Sequence, residues 1–142
     1  MIKQNIVFVE NKAGSLKRVT GLLANNNINI YGFACFDAPE FAIFRMICDD
    51  PDKAEIILNQ SGYMNRITQA IVVDMKDQVG GLDELLKIMA DSNVSLDYIY
   101  TSFHRKDLRP VVILHSEDIT VTESVLKNNG FKVFSAADEL EK

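Results

Sequence analysis

Tryptophan is absent from the chain, and cysteine and histidine occur only twice each among its 142 residues. No apolar run approaches the roughly 18 residues that a membrane-spanning helix requires. Lysine and arginine, 15 together, are outnumbered by 20 acidic residues, and the net charge of -5 argues against the basic surface needed to displace counterions from nucleic-acid phosphates. The first residues, Met1-Ile2-Lys3-Gln4-Asn5, lack the long apolar stretch and small-residue cleavage site of a signal peptide. Cys35 and Cys48 both lie in apolar strand patterns. A turn over Asp37–Glu40 would set Cys35 opposite about position 42 and Cys48 opposite about position 29, too far apart to bridge. Both read as buried reduced thiols, which points to the cytoplasm.

The few histidines limit chemistry as well. His104 and His115 fall at a hairpin end and a strand end, with no cysteine or acid at ligand spacing, and read as surface or hydrogen-bonded side chains rather than metal ligands. Ser15 precedes a helix pattern with no histidine near it in sequence and reads as a helix cap. The acids of Asp49-Asp50-Pro51-Asp52 suit a helix N-terminus, where negative charge offsets the dipole. No nucleophile, base and orienting group form a set, so neither catalytic residues, a cofactor nor a metal are expected.

What is present is a duplication. A shift of about 66 positions lays Ala13-Gly14-Ser15-Leu16 over Val79-Gly80-Gly81-Leu82, and Ile6-Val7-Phe8-Val9 over Val72-Val73-Asp74-Met75. The same shift sets Asn27-Ile28-Asn29-Ile30 over Asn93-Val94-Ser95-Leu96, and a small insertion later brings Gly62-Tyr63 onto Gly130-Phe131. The boundary falls near Gln69, giving units 1–69 and 70–142.

Each copy reads strand, helix, strand, strand, helix, strand. Ile6 to Glu10 is an apolar strand, followed by a helix with Leu16, Val19, Leu22 and Leu23 on one side. Apolar runs over 28–36 and 41–48 flank the turn. Asp50-Pro51 opens a helix lined by Ala54, Ile57 and Leu58, Gly62 closes it, and a strand starts at Tyr63. In the second copy Leu82, Leu85, Leu86 and Met89 line the first helix. Leu96, Tyr98 and Tyr100 alternate with Asp97, Ile99 and Thr101, and Val111–Leu114 is a central strand. Thr120-Val121-Thr122-Glu123 reads as a capping box, Gly130 ends that helix, Phe131–Phe134 is the last strand, and the tail from Ala136 is frayed or a short helix.

The expected class is therefore α+β: a ferredoxin-like βαββαβ sandwich, twice, with antiparallel sheets and helices on one face. In the strand 41–48, Ala42, Phe44, Met46 and Cys48 share one face, and Phe41, Ile43, Arg45 and Ile47 the other. Both faces are largely apolar, which predicts a further protein surface against the helix-free side and hence a homodimer.

The strand-to-helix junctions carry what chemistry there is. Asn11-Lys12-Ala13-Gly14-Ser15-Leu16 places a carboxamide and a glycine before a helix start. Unpaired N–H groups at such a start favour a carboxylate, and the carboxamide oxygen can accept from an ammonium. A glycine there lets a ligand approach the main chain. These residues resemble the loop motif of ACT domains, regulatory modules of amino-acid biosynthetic enzymes: an acid or Asn, a variable residue, then Pro-Gly and an aliphatic residue. Asn27-Ile28-Asn29-Ile30 is similar to the family's second signature. The resemblance covers the chain twice, with Ala13 and Val79 standing where the motif has proline.

In ACT domains that bind serine on phosphoglycerate dehydrogenase, the loop Asn and the second-strand Asn hold the effector across an interface. By position this implies a ligand site of Asn11, Lys12, Ala13, Gly14, Ser15 and Leu16 with Asn29 and Ile30. In the second copy it implies Asp77, Gln78, Val79, Gly80, Gly81 and Leu82 with Ser95 and Leu96. ACT units commonly pair through their second strands. If the two copies do so within this chain, the Asn11 loop faces Ser95-Leu96, the Asp77 loop faces Asn29-Ile30, and the two sites are unequal.

The reading that results is a cytoplasmic, non-catalytic regulatory protein with a free amino acid as ligand and an enzyme or transporter as regulated partner. It has neither nucleic acid nor membrane as partner. The alternative is a structural or protein–protein interaction module that binds no ligand. A small enzyme on the same scaffold lacks a visible reactive set. An RNA-binding version would need exposed aromatics with basic neighbours, which Phe44-Arg45 only faintly echoes, and the acidic balance speaks against it.

Overall fold

The order strand, helix, strand, strand, helix occurs twice along the chain. The computed structural model describes residues 1–103 and 106–141. Its elements are strand β1 (Ile2–Glu10), helix α1 (Ser15–Asn25), strands β2 (Ile30–Asp37) and β3 (Phe41–Cys48), helix α2 (Pro51–Gln60) and strand β4 (Asn65–Asp74). Helix α3 (Gly81–Asp91), strands β5 (Leu96–Phe103) and β6 (Pro110–Ser116), helix α4 (Ile119–Asn128) and a 3-10 turn (Ala137–Glu141) follow. Phe103 carries only a backbone description, and His104 lies outside the described residues.

The chain divides into two units, Lys3–Thr68 and a second made of Met1–Ile2 with Gln69–Lys142. In the first, β3 is the antiparallel neighbour of both β1 and β2. The start of β4 joins β1 there, where the Phe8 N–H donates to the Met64 carbonyl at 3.0 Å. In the second unit, β6 lies antiparallel between β4 and β5. β2 pairs with β3 and β5 pairs with β6, each inside its own unit.

Each unit has its own core. Val19 and Leu23 of α1 and Ala54 and Leu58 of α2 pack with Val7, Val9, Phe44, Met46 and Cys48. Leu85 and Met89 of α3 and Leu126 of α4 pack with Ile71, Val73, Val112 and Leu114. The helical stripe is narrower than its sequence pattern, because only the i and i+4 positions point squarely at the sheet. Leu16, Leu82 and Leu86 are exposed, contrary to the expectation that they line their helices.

Other details also differ. A register shift between Leu96 and Tyr98 breaks the expected alternation. Leu96 and Ile99 pack on the core, and Asp97 is the extra residue between them. The last strand shrinks to a bridge between Val73 and Val133 with two flanking main-chain bonds, Asp74 N–H to Lys132 at 2.9 Å and Phe134 N–H to Val72 at 2.8 Å. The tail is docked by Leu140, which is buried. Cys35 pairs in register with Phe44, and Cys48 with Ile30. Both thiols are free, and Cys35 is exposed rather than buried.

Candidate functional site

The four helices begin in two different ways. α2 and α4 are capped by side chains: Asp50 accepts from the Lys53 N–H at 3.0 Å, and Asp118 accepts from the Val121 N–H at 3.1 Å. α1 and α3 begin instead on Gly14 and Gly80, both in the left-handed region at φ 84° and 85°, with no side-chain cap. A left-handed residue in this place turns the strand exit into the helix axis, and glycine adopts it without steric cost.

The loops close on themselves through the main chain. The Lys12 N–H donates to Glu10 at 3.0 Å, Ser15 to Lys12 at 3.2 Å and Arg18 to Gly14 at 3.0 Å. The second copy repeats this: Gln78 donates to Lys76 at 3.0 Å, Gly81 to Gln78 at 3.0 Å and Glu84 to Gly80 at 2.9 Å. The next two first-turn amides, Leu16 and Lys17 or Leu82 and Asp83, lie between those bonds and take no side-chain cap. They sit at the positive end of the helix dipole.

Ser15 is the first residue of α1 rather than its cap, and its hydroxyl accepts from Arg18 Nη2 at 3.2 Å. Gly81, the first residue of α3, has no room for a side chain. A Cβ there would lie 2.1 Å from the Lys76 carbonyl oxygen, so the close approach is the protein's own main chain. The capping box expected at Thr120 is likewise replaced by Asp118, two residues earlier, because α4 starts at Ile119.

Asn11 donates through Nδ2 to the Ala38 carbonyl at 3.1 Å, which ties the loop to the β2–β3 turn. Asn29, just before β2, is held through its main chain by Asp49: its N–H donates to the side-chain Oδ1 of Asp49 at 3.0 Å, and its carbonyl accepts from the Asp49 N–H at 3.1 Å. Ile30 packs on the first core and Leu96 on the second. The Asp77 loop lines a cavity of about 420 Å3 with Gln78, Gly80, Gly81, Leu82 and Leu86. Val79 stands fully exposed at 105%. Ser95 lines a different cavity, with Ser92 and Glu117, so Asp77 and Ser95 do not meet within their unit.

Around these loops the charges are opposite in sign. Residues 10–18 carry Glu10, Lys12, Lys17 and Arg18, a net charge of +2, whereas residues 76–84 carry Lys76, Asp77, Asp83 and Glu84, a net charge of -2. Glu10 pairs with Lys12 at 2.6 Å, and that hydrogen bond and charge hold its carboxyl below the usual carboxylate range. Lys76 pairs with Glu84 at 3.1 Å. Sequence reasoning left Arg18 out of the site, although it lines one cavity with Lys12 and Ser15. Its helical spacing from Gly14 was the available signal.

Elsewhere the chemistry is structural. His115 Nδ1 lies 2.7 Å from Asp97 Oδ2 and the ring stacks on Tyr98 at 5.4 Å. Asp52 pairs with Lys3 at 2.8 Å. Among the described residues no group of three or more His, Cys, Asp or Glu is placed to hold a metal ion, and no helix is long and apolar enough to cross a membrane.

A family model described as an ACT domain pair matches residues 1–141. A protein of Bacteroides thetaiotaomicron of known structure is 28% identical, with a TM-score of 0.89 over 99% of this chain and 96% of that one. The ligand-free regulatory subunit of aspartate kinase from Thermus thermophilus has the same fold at 14% identity and a TM-score of 0.62, over 90% of this chain and 91% of that one. Its counterpart from Thermus flavus, 13% identical, gives a TM-score of 0.61 over 88% of each chain. No curated protein matches the sequence.

Proposed function

The chain belongs to the ACT domain pair family, and on that premise we propose that it is a non-catalytic regulatory protein that binds a free amino acid at the glycine-started helices. One observation carries the reading: α2 and α4 are closed by Asp50 and Asp118, while α1 and α3, which follow the loops, have no side-chain cap. The amides of Leu16 and Lys17 suit a carboxylate, and Asn11 Oδ1 suits an ammonium, its Nδ2 being already engaged by Ala38. The division into functional halves at 1–69 and 70–142 is part of the same proposal, as is action in the cytoplasm on an enzyme or transporter. A ligand can regulate such a partner only through its differential affinity for two states.

A homodimer is proposed with it. β2 is an end strand carrying Phe33 and Phe36, 61% and 53% exposed, and an unpaired apolar edge favours a second chain. That same edge supports the alternative, an interaction module without a ligand. A melting screen with the twenty amino acids separates the two. An amino acid at about a hundred times its dissociation constant adds roughly 2.7 kcal/mol, and Asn11→Ala removes that gain. No shift with any amino acid leaves the interaction module.

A further inference from the structure

Between the C-terminal end of α3 and the start of α4 the second unit holds a groove of about 540 Å3, lined by Ser92, Ser95, Ser116, Glu117, Val121 and Thr122 among others. Its side-chain charge is acidic, from Glu117 and Asp118, and the start of α4, whose positive dipole end also faces the groove, is already capped by Asp118. α3 ends there and contributes the negative end of its dipole, the Glu117 carboxylate stands exposed, and neither lysine nor arginine is among the lining residues.

The first unit holds the same place in a filled form. Asn26–Asn29 correspond to Ser92–Ser95, with Asn27 and Asn93 both left-handed at φ 61° and 56°. Asp49, Asp50 and Lys53 correspond to Glu117, Asp118 and Val121. There the Lys53 ammonium donates to the Asn26 carbonyl at 2.8 Å, and Asp49 clasps the main chain of Asn29. In the second unit valine replaces the lysine, and no clasp between Glu117 and Ser95 occurs among the described residues.

We propose that this groove binds the ammonium group of a small alkylamine, with the Ser92 carbonyl and the Glu117 carboxylate as acceptors, in the place that Lys53 fills in the first unit. An ammonium offers three donors and needs no acceptor in return, which suits carbonyl, carboxylate and hydroxyl oxygens at a helix C-terminus. Ser95, which the resemblance implied for the second amino-acid site, lines this groove, but neither the glycine-started loops nor Asn11 takes part, so Asn11→Ala, which leaves the groove intact, separates this inference from the amino-acid reading.

The test is an NMR titration of the full chain with n-butylammonium chloride, with n-butanol and sodium chloride as controls. Saturable shifts of the Ser92, Ser95 and Glu117 amides are expected with the amine alone. Val121→Lys supplies an internal ammonium and abolishes them, and Glu117→Gln weakens them at least several-fold. Lys53→Val opens the first unit's counterpart and brings a second set of shifts at Asn26–Asp49. Equal shifts with butanol or sodium chloride, no shifts with the amine, or shifts that survive Val121→Lys overturn the proposal.

Discussion

Asn11 and Asn29 stand at opposite ends of the same sheet. β1 reaches its end at Glu10, opposite Phe41, while β2 begins at Ile30, opposite Cys48. From Phe41 to Cys48 the strand spans roughly 23 Å at ~3.3 Å per residue. No single amino acid touches both carboxamides of one unit, so a site that uses both draws them from two copies. Complementation follows. Asn11→Ala and Asn29→Ala chains should each fail to bind alone, whereas mixing and refolding them should restore about a quarter of the sites, one per mixed dimer. Calorimetry counts the sites, and a mixture that stays inactive removes the shared site.

The opposite charges of the two loops predict unequal occupancy. A carboxylate approaching α3 meets Asp83 and Glu84 in its first turn, whereas α1 has no acid there. Like charges at a helix N-terminus weaken anion binding by an amount that salt screens. Asn11→Ala should therefore remove most of any ligand-induced melting shift, and Asp77→Ala should leave most of it in place.

Gly80 and Gly81 separate two kinds of glycine requirement. At Gly80 a Cβ has open space but the residue is left-handed; at Gly81 it would lie 2.1 Å from the Lys76 carbonyl oxygen. Gly80→Ala should cost about 1–2 kcal/mol for the backbone conformation. Gly81→Ala must displace main chain and should cost more, above about 2 kcal/mol. Urea unfolding of the two variants checks the order, and equal midpoints contradict it.

Element order and the duplication were legible because both rest on apolar period and turn glycines, which the chain spells out at Gly14, Gly62, Gly80 and Gly130. The loops were legible for the same reason. What escaped depends on competition between neighbours. Asp118 outcompetes Thr120 as a cap, a residue inserted at Asp97 shifts the alternation of β5, and Leu16 and Leu82 lie one helical step off the buried stripe. The groove near Ser92 was invisible in the sequence, because it arises where Lys53 and Asp49 have counterparts that make no tie.

The caps give a direct check on that competition. Asp50→Ala and Asp118→Ala should each cost about 1 kcal/mol, since each removes the side-chain acceptor that closes its helix. Thr120→Ala should be nearly neutral in unfolding midpoint, whereas a capping box there would make it the costlier change. A loss at Thr120 matching that at Asp118 would restore the capping box.

The two thiols should behave differently in one chain. Burial pushes the Cys48 thiol up to about 12, with the nearby Asp49 and Asp50 charges adding to the effect, and its Sγ donates to Asn5 Oδ1 at 3.4 Å. At pH 8 only about one in ten thousand such groups is a thiolate, and the thiolate is what reacts. Cys35 is exposed; partial desolvation raises its thiol as well, which slows its reaction without preventing it. Labelling of the folded chain with an aromatic disulfide reagent should therefore stop at one thiol, and Cys35→Ser should abolish it. Denaturant should release the second. Rapid labelling of Cys48 in the folded state would mean that the first unit's core, where Cys48 packs beside Met46 and Leu58, opens far more readily than its burial implies.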